Sequence, residues 1–174
     1  MPSVQKILVP VDFSACSDEA VDYAAFLAKP LSASVELVHA WHAPHDLGPF
    51  LGQLAVNDPD TGEERSLSEF VERQAREALE RTAARLADHG LPVSARLIEG
   101  TAKRAIVRCV EDGNYDMVVM GTRGRTGLSH VLLGSVAERI VRMASCPVMT
   151  IKPRESATDA EPDLPKGFDT PTMI

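Results

Sequence analysis

The sequence predicts an α/β protein, one domain on a five-stranded parallel sheet with helices on both faces. Three observations predict it. Short β-rich runs alternate with longer amphipathic runs in the order βαβαβαβαβ, which calls for right-handed crossovers between parallel strands. Two of the β runs are apolar almost without interruption, as strands covered on both faces are. The length of 174 residues, 44% hydrophobic and 25% charged, suits one globular unit with room for a tail.

Residues 6–11, Lys-Ile-Leu-Val-Pro-Val, form the first buried run. A helix follows over 14–29. Asp18 and Glu19 favour its N-terminal end, Ala20, Val21, Ala24, Ala25 and Ala28 make its apolar stripe, and Pro30 is expected to stop it. Residues 34–40 read as the second strand. Residues 43–65 contain Pro44, Gly48, Pro49, Gly52, Pro59 and Gly62 and read as a long irregular connection, of the kind that serves as a flap or partner-binding segment. Ser66 and Glu69 have capping-box spacing for a helix over 66–88. Leu67, Phe70, Val71, Ala75, Ala78, Leu79, Ala83 and Leu86 keep one of its faces apolar, and His89-Gly90 ends it.

A third strand is expected over 92–98 and a third helix over 101–112, with Ala102, Ala105, Ile106, Cys109 and Val110 inward. The fourth strand, 116–120, runs into a glycine-rich loop. A fourth helix over 135–144 and a fifth strand over 147–152, opened by Pro147, complete the pattern. Beyond Pro153 it stops. Residues 154–174 carry five carboxylates against Arg154 and Lys166, with three prolines, so a domain over 1–153 and a flexible acidic tail over 154–174 are expected.

The net charge of −7 and pI of about 5.2 argue against a general nucleic-acid-coating protein. A small anion held by a local basic loop remains compatible with them. No apolar run reaches the roughly 18–20 residues that cross a bilayer, so no membrane association is expected. Residues 1–6 show no export signal. Cys16, Cys109 and Cys146 are odd in number, widely spaced and free of CxxC, as buried thiols of a reducing compartment are. A cytoplasmic protein is expected.

Parallel sheets bind ligands beyond the C-terminal ends of their strands, which narrows the search to 10–14, 39–43, Gly100 and 121–135. Gly121-Thr122-Arg123-Gly124-Arg125-Thr126-Gly127-Leu128-Ser129-His130 holds two arginines and no carboxylate, a reversal of sign in an acidic chain. Glycines there allow φ > 0 and close approach to a ligand. Gly134-Ser135 then opens a helix, whose free N–H groups and positive dipole end suit an anion. Gly121, Gly124, Gly134 and Ser135 realise the spacing Gly-x2-Gly-x9-Gly-Ser, which is neither a Walker P-loop nor a GxGxxG fingerprint. The same residues also allow a plain connection: solvated arginines, and a capping box of Ser135 with Glu138. Asp12, after the first strand, suits either a pair of vicinal hydroxyls or the start of a helix.

With Lys-Ile-Leu-Val-Pro-Val-Asp-Phe-Ser at 6–14, Leu37-Val38-His39, Asp116-Met117-Val118-Val119-Met120-Gly121, the glycine motif and Cys146-Pro147-Val148, the chain resembles the universal stress protein family over about residues 4–153. The resemblance implies a five-stranded Rossmann-like sheet, ATP binding in members carrying this motif, and a homodimer paired through the last strand, 147–152. It implies that Pro10, Val11 and Asp12 lie by the adenosine, with Asp12 accepting from ribose hydroxyls. Ala40 would offer backbone to adenine, Met120 and Gly121 would line the nucleotide, and Arg123 and Gly124 would approach its phosphates. Gly134, Ser135 and Val136 would bind phosphate oxygens through N–H groups and the Ser135 hydroxyl.

His39, His42 and His45 recur at three-residue spacing. Pro44 interrupts them and no carboxylate or thiolate completes a ligand spacing, so loop histidines are expected rather than a metal site. Trp41 is read as packing or as the rim of a pocket. Residues 63–81 form a mixed charge run, a solvated helix face. Ser14 and Ser17 lack a Gly-x-Ser-x-Gly elbow, which argues against a hydrolase nucleophile. Cys16 is read as inert unless the helix start favours its thiolate. The expectation is an ATP-binding, homodimeric stress-response regulator, with Mg²⁺ accompanying ATP and an unidentified protein partner. A slow ATPase or phosphotransferase and a nucleotide-free dimerising scaffold are the alternatives; no general base is evident for the former.

Overall fold

The computed structural model describes residues 3–42, 50–122 and 133–152. In chain order they form β1 (Lys6–Pro10), α1 (Ala15–Leu31), β2 (Ser34–Trp41), β3 (Ala55–Asn57), β4 (Glu64–Ser66), α2 (Leu67–Ala87), β5 (Val93–Glu99), α3 (Ala102–Asp112), β6 (Met117–Gly121), α4 (Ser135–Met143) and β7 (Val148–Ile151). Five strands make one parallel sheet in the order β5-β2-β1-β6-β7, the architecture expected.

The unbroken apolar run of β1 reflects its central place. Ile7, Leu8 and Val9 are fully buried and alternate between two cores. Ile7 and Val9 join Ala20, Val21, Ala24, Leu79 and Leu86 of α1 and α2 on one face. Leu8 joins Ile106, Val110 and Ile140 of α3 and α4 on the other. After β5 the chain crosses to the far side of β1, so the order of connection reverses between β1 and β6. A crevice at the C-terminal ends of those two strands follows from that reversal.

Near the N-terminal ends of the strands, Glu36 is buried between Lys6 Nζ (2.8 Å) and Arg96 Nε (2.9 Å). Arg96 Nη2 also donates to Tyr115 Oη at 2.9 Å and to Cys109 Sγ at 2.8 Å. Burial opposes ionisation of Glu36, but the Lys6 hydrogen bond and the charges of Arg96 and Lys6 hold its carboxyl below the usual range.

Two expectations about the fold are corrected. Pro30 does not stop α1; it sits in the last turn, and the helix ends at Ser32 with φ of 53°. The N–H groups of Ser32 and Ala33 close it on Lys29 and Ala28 carbonyls. A proline this near the end, on an exposed face, deprives only one solvent-facing carbonyl of a partner. Within 43–65 the chain is not wholly irregular: β3 and β4 pair antiparallel, Val56 against Arg65, after a 3-10 turn at Leu51–Gln53.

That ribbon is anchored by charge. The Asp58 carboxylate is wholly enclosed, 2.7 Å from Arg73 Nη2 of α2 and 3.6 Å from Arg65 Nε. Burial works against its ionisation; the Asp60 N–H, Arg73 and Thr61 outweigh that and hold it below the usual carboxylate range. The capping box of Ser66 and Glu69 forms as expected, with Glu69 N–H donating to Ser66 Oγ at 3.2 Å and Ser66 N–H to Glu69 Oε2 at 3.0 Å. No helix among the described residues is long and apolar enough to cross a membrane. The proposed tail, 154–174, lies outside the described residues.

Candidate functional site

A cleft of about 250 Å³ opens at the switch point. Pro10, Val11, Asp12, Ala40, Met120, Gly121, Gly134, Ser135 and Val136 all line it, together with Ser17, His39, Ala102, Ile106, Thr122 and Ala137. Arg123 and Gly124 lie outside the described residues. Of the six lining residues that sequence reasoning did not assign, Ala102, Ile106 and Ala137 carried only the helical spacing of core positions. Thr122 stood inside the glycine motif, at a position the spacing leaves undefined.

The floor is built where β1 runs out. Val11 N–H donates to Val38 O at 2.8 Å, extending the ladder one residue past Pro10. His39 Nδ1 donates to Val11 O at 2.7 Å, which fixes that ring nitrogen as the protonated one, and the ring lies 4.4 Å from that of Phe13. Phe13 turns the chain with φ of 61°. Asp12 Oδ1 then accepts from Ser14 N–H (3.1 Å) and Ser14 Oγ (2.5 Å), and Ser14 Oγ accepts from Ser17 N–H to cap α1. Asp12 is therefore not itself the cap of α1, which is Ser14; it holds that serine and lines the cleft. Ser17 Oγ donates to Ser14 O at 2.9 Å, so both serines serve the turn.

The two described glycines of the motif act differently from expectation. Neither takes a positive φ; that of Gly134 is −57°. They are glycines because protein atoms come close. A Cβ on Gly121 would stand 2.7 Å from Cys16 Sγ and 3.1 Å from Cys16 backbone, and one on Gly134 3.0 Å from Thr122 O. Gly134 N–H donates to that same Thr122 O at 2.7 Å, and Thr122 N–H donates to Ile151 O at 2.8 Å. The Gly134 N–H, expected to bind phosphate, is thus spent on closing the stem of the loop.

The capping box of Ser135 and Glu138 that a plain connection would use does not form, because Ser135 is already the first residue of α4 and Gly134 is the N-cap. A glycine cap brings no side-chain acceptor. The N–H groups of Ser135, Val136 and Ala137 have no carbonyl within the helix to reach, and all three residues face the cleft. They present aligned donors and the positive end of the α4 dipole to whatever enters.

Cys16 is buried behind Gly121 and its thiol donates to Ile151 O at 3.3 Å, the inert arrangement. Burial also pushes the Cys109 and Cys146 thiols up. Among the described residues no three of His, Cys, Asp and Glu are placed to hold a metal ion; His45 lies outside them. Trp41 ends β2 and does not line the cleft.

An open parallel sheet with an anion-ready helix start at its switch point defines the α/β proteins that take a ligand at the carboxyl edge of the sheet. Residues 3–152 match the Universal stress protein family, and the chain belongs to that family. It is 35% identical over 148 residues to universal stress protein MJ0531 of Methanocaldococcus jannaschii, covering 85% of this chain and 82% of that one. The solved structure of protein MJ0577 superposes with a TM-score of 0.72 at 26% identity, covering 88% and 99% of the two chains. Two more distant structures share the fold. One is a universal stress protein in complex with cAMP (TM-score 0.61, 21% identity, 86% and 98% covered). The other is that of Archaeoglobus fulgidus in complex with dAMP (0.57, 20%, 87% and 100%).

Proposed function

We propose that this cleft binds an adenine nucleotide, ATP, and that the protein is a cytoplasmic, homodimeric stress-response regulator whose nucleotide state biases an unidentified protein partner. One observation carries the reading: among the described residues no side chain caps the first turn of α4, and Ser135, Val136 and Ala137 line the cleft. The cAMP and dAMP complexes of more distant family members support an adenine ligand.

In this reading Asp12 accepts from the ribose hydroxyls, held by its bonds to Ser14. Pro10, Val11 and the Ala40 main chain flank the adenosine, against an apolar wall that includes Met120, Ile106 and Ala102. Ser135, through N–H and hydroxyl, and the Val136 N–H take phosphate oxygens, and Gly134 contributes its lack of a side chain. Gly121 lines the cleft, while Arg123 and Gly124 approach the phosphates from the loop. Mg²⁺ enters as the counter-ion of ATP. The homodimer pairs through β7, which lies at the sheet edge with Tyr23 and Phe26 exposed on α1 and Val141 and Met143 on α4.

Isothermal titration with ATP tests the reading: saturable binding with one nucleotide per chain is expected, and no heat at millimolar ligand rejects it. Equal affinity for ATP and adenosine rejects the phosphate half alone.

A further inference from the structure

Charge is answered on one helical layer and left open on the other. On α2 all four arginines are ion-paired: Arg73 with Asp58, Arg76 with Glu72, Arg81 with Glu77 and Arg85 with Asp22. The opposite layer, α3 and α4, which share one core, carries Lys103, Arg104, Arg108 and Arg139, all exposed. None of these four has an ion-pair partner among the described residues. Glu138 of α4 is taken by Arg142 at 3.0 Å, and Glu111 and Asp112 close the far end of α3. In a chain of net charge −7, this layer is where cations stand alone.

The arrangement works against the helices that carry it. Arg104 and Arg108 stand four residues apart on one helix face, where like charges repel. Lys103 and Arg104 occupy the first turn of α3, at the positive end of its dipole, with no acidic residue there and no side-chain cap from Thr101. The start of α2 shows the stabilising pattern, with Glu69 in its first turn. A carboxylate brought from outside the two helices relieves both repulsions.

We infer that the exposed face of α3 and α4 docks the acidic segment of this same chain, residues 155–165, through its carboxylates. That segment lies outside the described residues; its sequence holds Glu155, Asp159, Glu161 and Asp163 and no lysine or arginine. Its point of departure fits. β7 is parallel to β6, and Ile151 at its end accepts from Thr122 N–H, so the chain leaves β7 at the carboxyl edge of the sheet. α3 and α4 begin at that edge, where Ala102 and Ser135 line the cleft. From β7 to β2, the strand that α3 packs on, is three strand spacings, about 14 Å. Asp159 stands seven residues beyond Lys152, which spans up to about 24 Å. The contact joins two parts of one chain and is independent of what fills the cleft.

The test is paramagnetic broadening of backbone amide signals in the full chain. A nitroxide is placed on Ala160→Cys in a Cys146→Ser background, Cys16 and Cys109 being buried. At about 20 mM salt the amides of residues 103–108 and those around 139 are expected to lose at least half their intensity, and to regain it at about 0.5 M, where screening is strong. Combining Arg104→Gln, Arg108→Gln and Arg139→Gln is expected to abolish the broadening at low salt. Broadening absent from α3 and α4, confined to α1 and α2, or unchanged in the arginine variant overturns the inference. So does broadening that arises only between molecules, read by mixing nitroxide-labelled chains without ¹⁵N and unlabelled chains with it, which would make a second copy the occupant. Should the arginine variant not fold, Asp159→Asn with Glu161→Gln and Asp163→Asn removes the other side of the contact. Amide shifts of residues 103–108 between the two salt concentrations are then expected in wild type and lost in that variant; equal shifts in both overturn the inference.

Discussion

Gly121→Ala separates two reasons for a glycine at the end of β6: room for a ligand and room for Cys16. The added methyl would stand 2.7 Å from Cys16 Sγ and 3.1 Å from the Cys16 carbonyl carbon and oxygen. Carbon–sulfur contacts settle well beyond that, so something must move by more than half an ångström. Neither neighbour moves freely. The thiol is buried and bonded to Ile151 O, and the backbone of Cys16 belongs to the first turn of α1. Overpacking of this kind costs about 1–3 kcal/mol. For a chain of this length about 2 kcal/mol is a fall of roughly 4–8 °C in Tm. The assay is urea unfolding without any ligand. Cys16→Ala in the same background relieves the thiol clash but not the backbone one, so a double-mutant cycle should return part of the loss, about 1 kcal/mol. A Gly121→Ala protein within 0.5 kcal/mol of wild type would refute the packing explanation.

Arg123→Ala should weaken ATP by about ten- to a hundredfold while sparing adenosine, because charge-assisted bonds to phosphate are worth about 1.5–3 kcal/mol; titration with both ligands checks it. Glu36 has a folded pKa below its ordinary value of 4.5, so its stabilisation is present above that value and is lost as pH falls through the lower folded pKa. Urea unfolding across acid pH should therefore show wild type and Glu36→Gln far apart at pH 7 and converging in acid; a constant gap would refute the assignment. Val118 and Thr122 N–H groups donate to Pro147 and Ile151, so alternate residues of β7 serve β6 and the Thr150 N–H faces the open edge. Thr150→Pro should then yield a folded monomer by sedimentation where wild type is a dimer, and a monomeric wild type at micromolar concentration defeats the dimer proposal.

The parallel sheet was legible because burial on both faces leaves β1 and β6 as continuous apolar runs that few other structures explain. The cleft was legible for a related reason: strand ends and the glycine motif mark where the backbone must come near something. What it comes near was not legible. At Gly121 the neighbour is Cys16, and at Gly134 it is Thr122, both contacts that exist only once α1 and α4 are docked. The Ser135–Glu138 spacing mimicked a capping box because a helix offset by one residue has the same composition. The β3–β4 ribbon escaped because an enclosed carboxylate, Asp58, anchors it, and an ionic anchor leaves no two-residue hydrophobic rhythm to read. Thr122 escaped because a threonine in a loop has no signature until both its main-chain groups are seen to be tied.

The short bond from Gly134 N–H to Thr122 O has a bearing on how such a protein diversifies. It joins the two ends of the segment that departs from β6 and returns at α4, so the rest of the chain sees a closed ring whatever that segment contains. Lengthening a loop between tethered ends costs little, about 0.6 kcal/mol for each doubling. If the crevice takes the proposed nucleotide, substitutions there would retune its selection while leaving the unfolding transition of the sheet almost where it was, which makes selectivity and thermal tolerance separately adjustable traits.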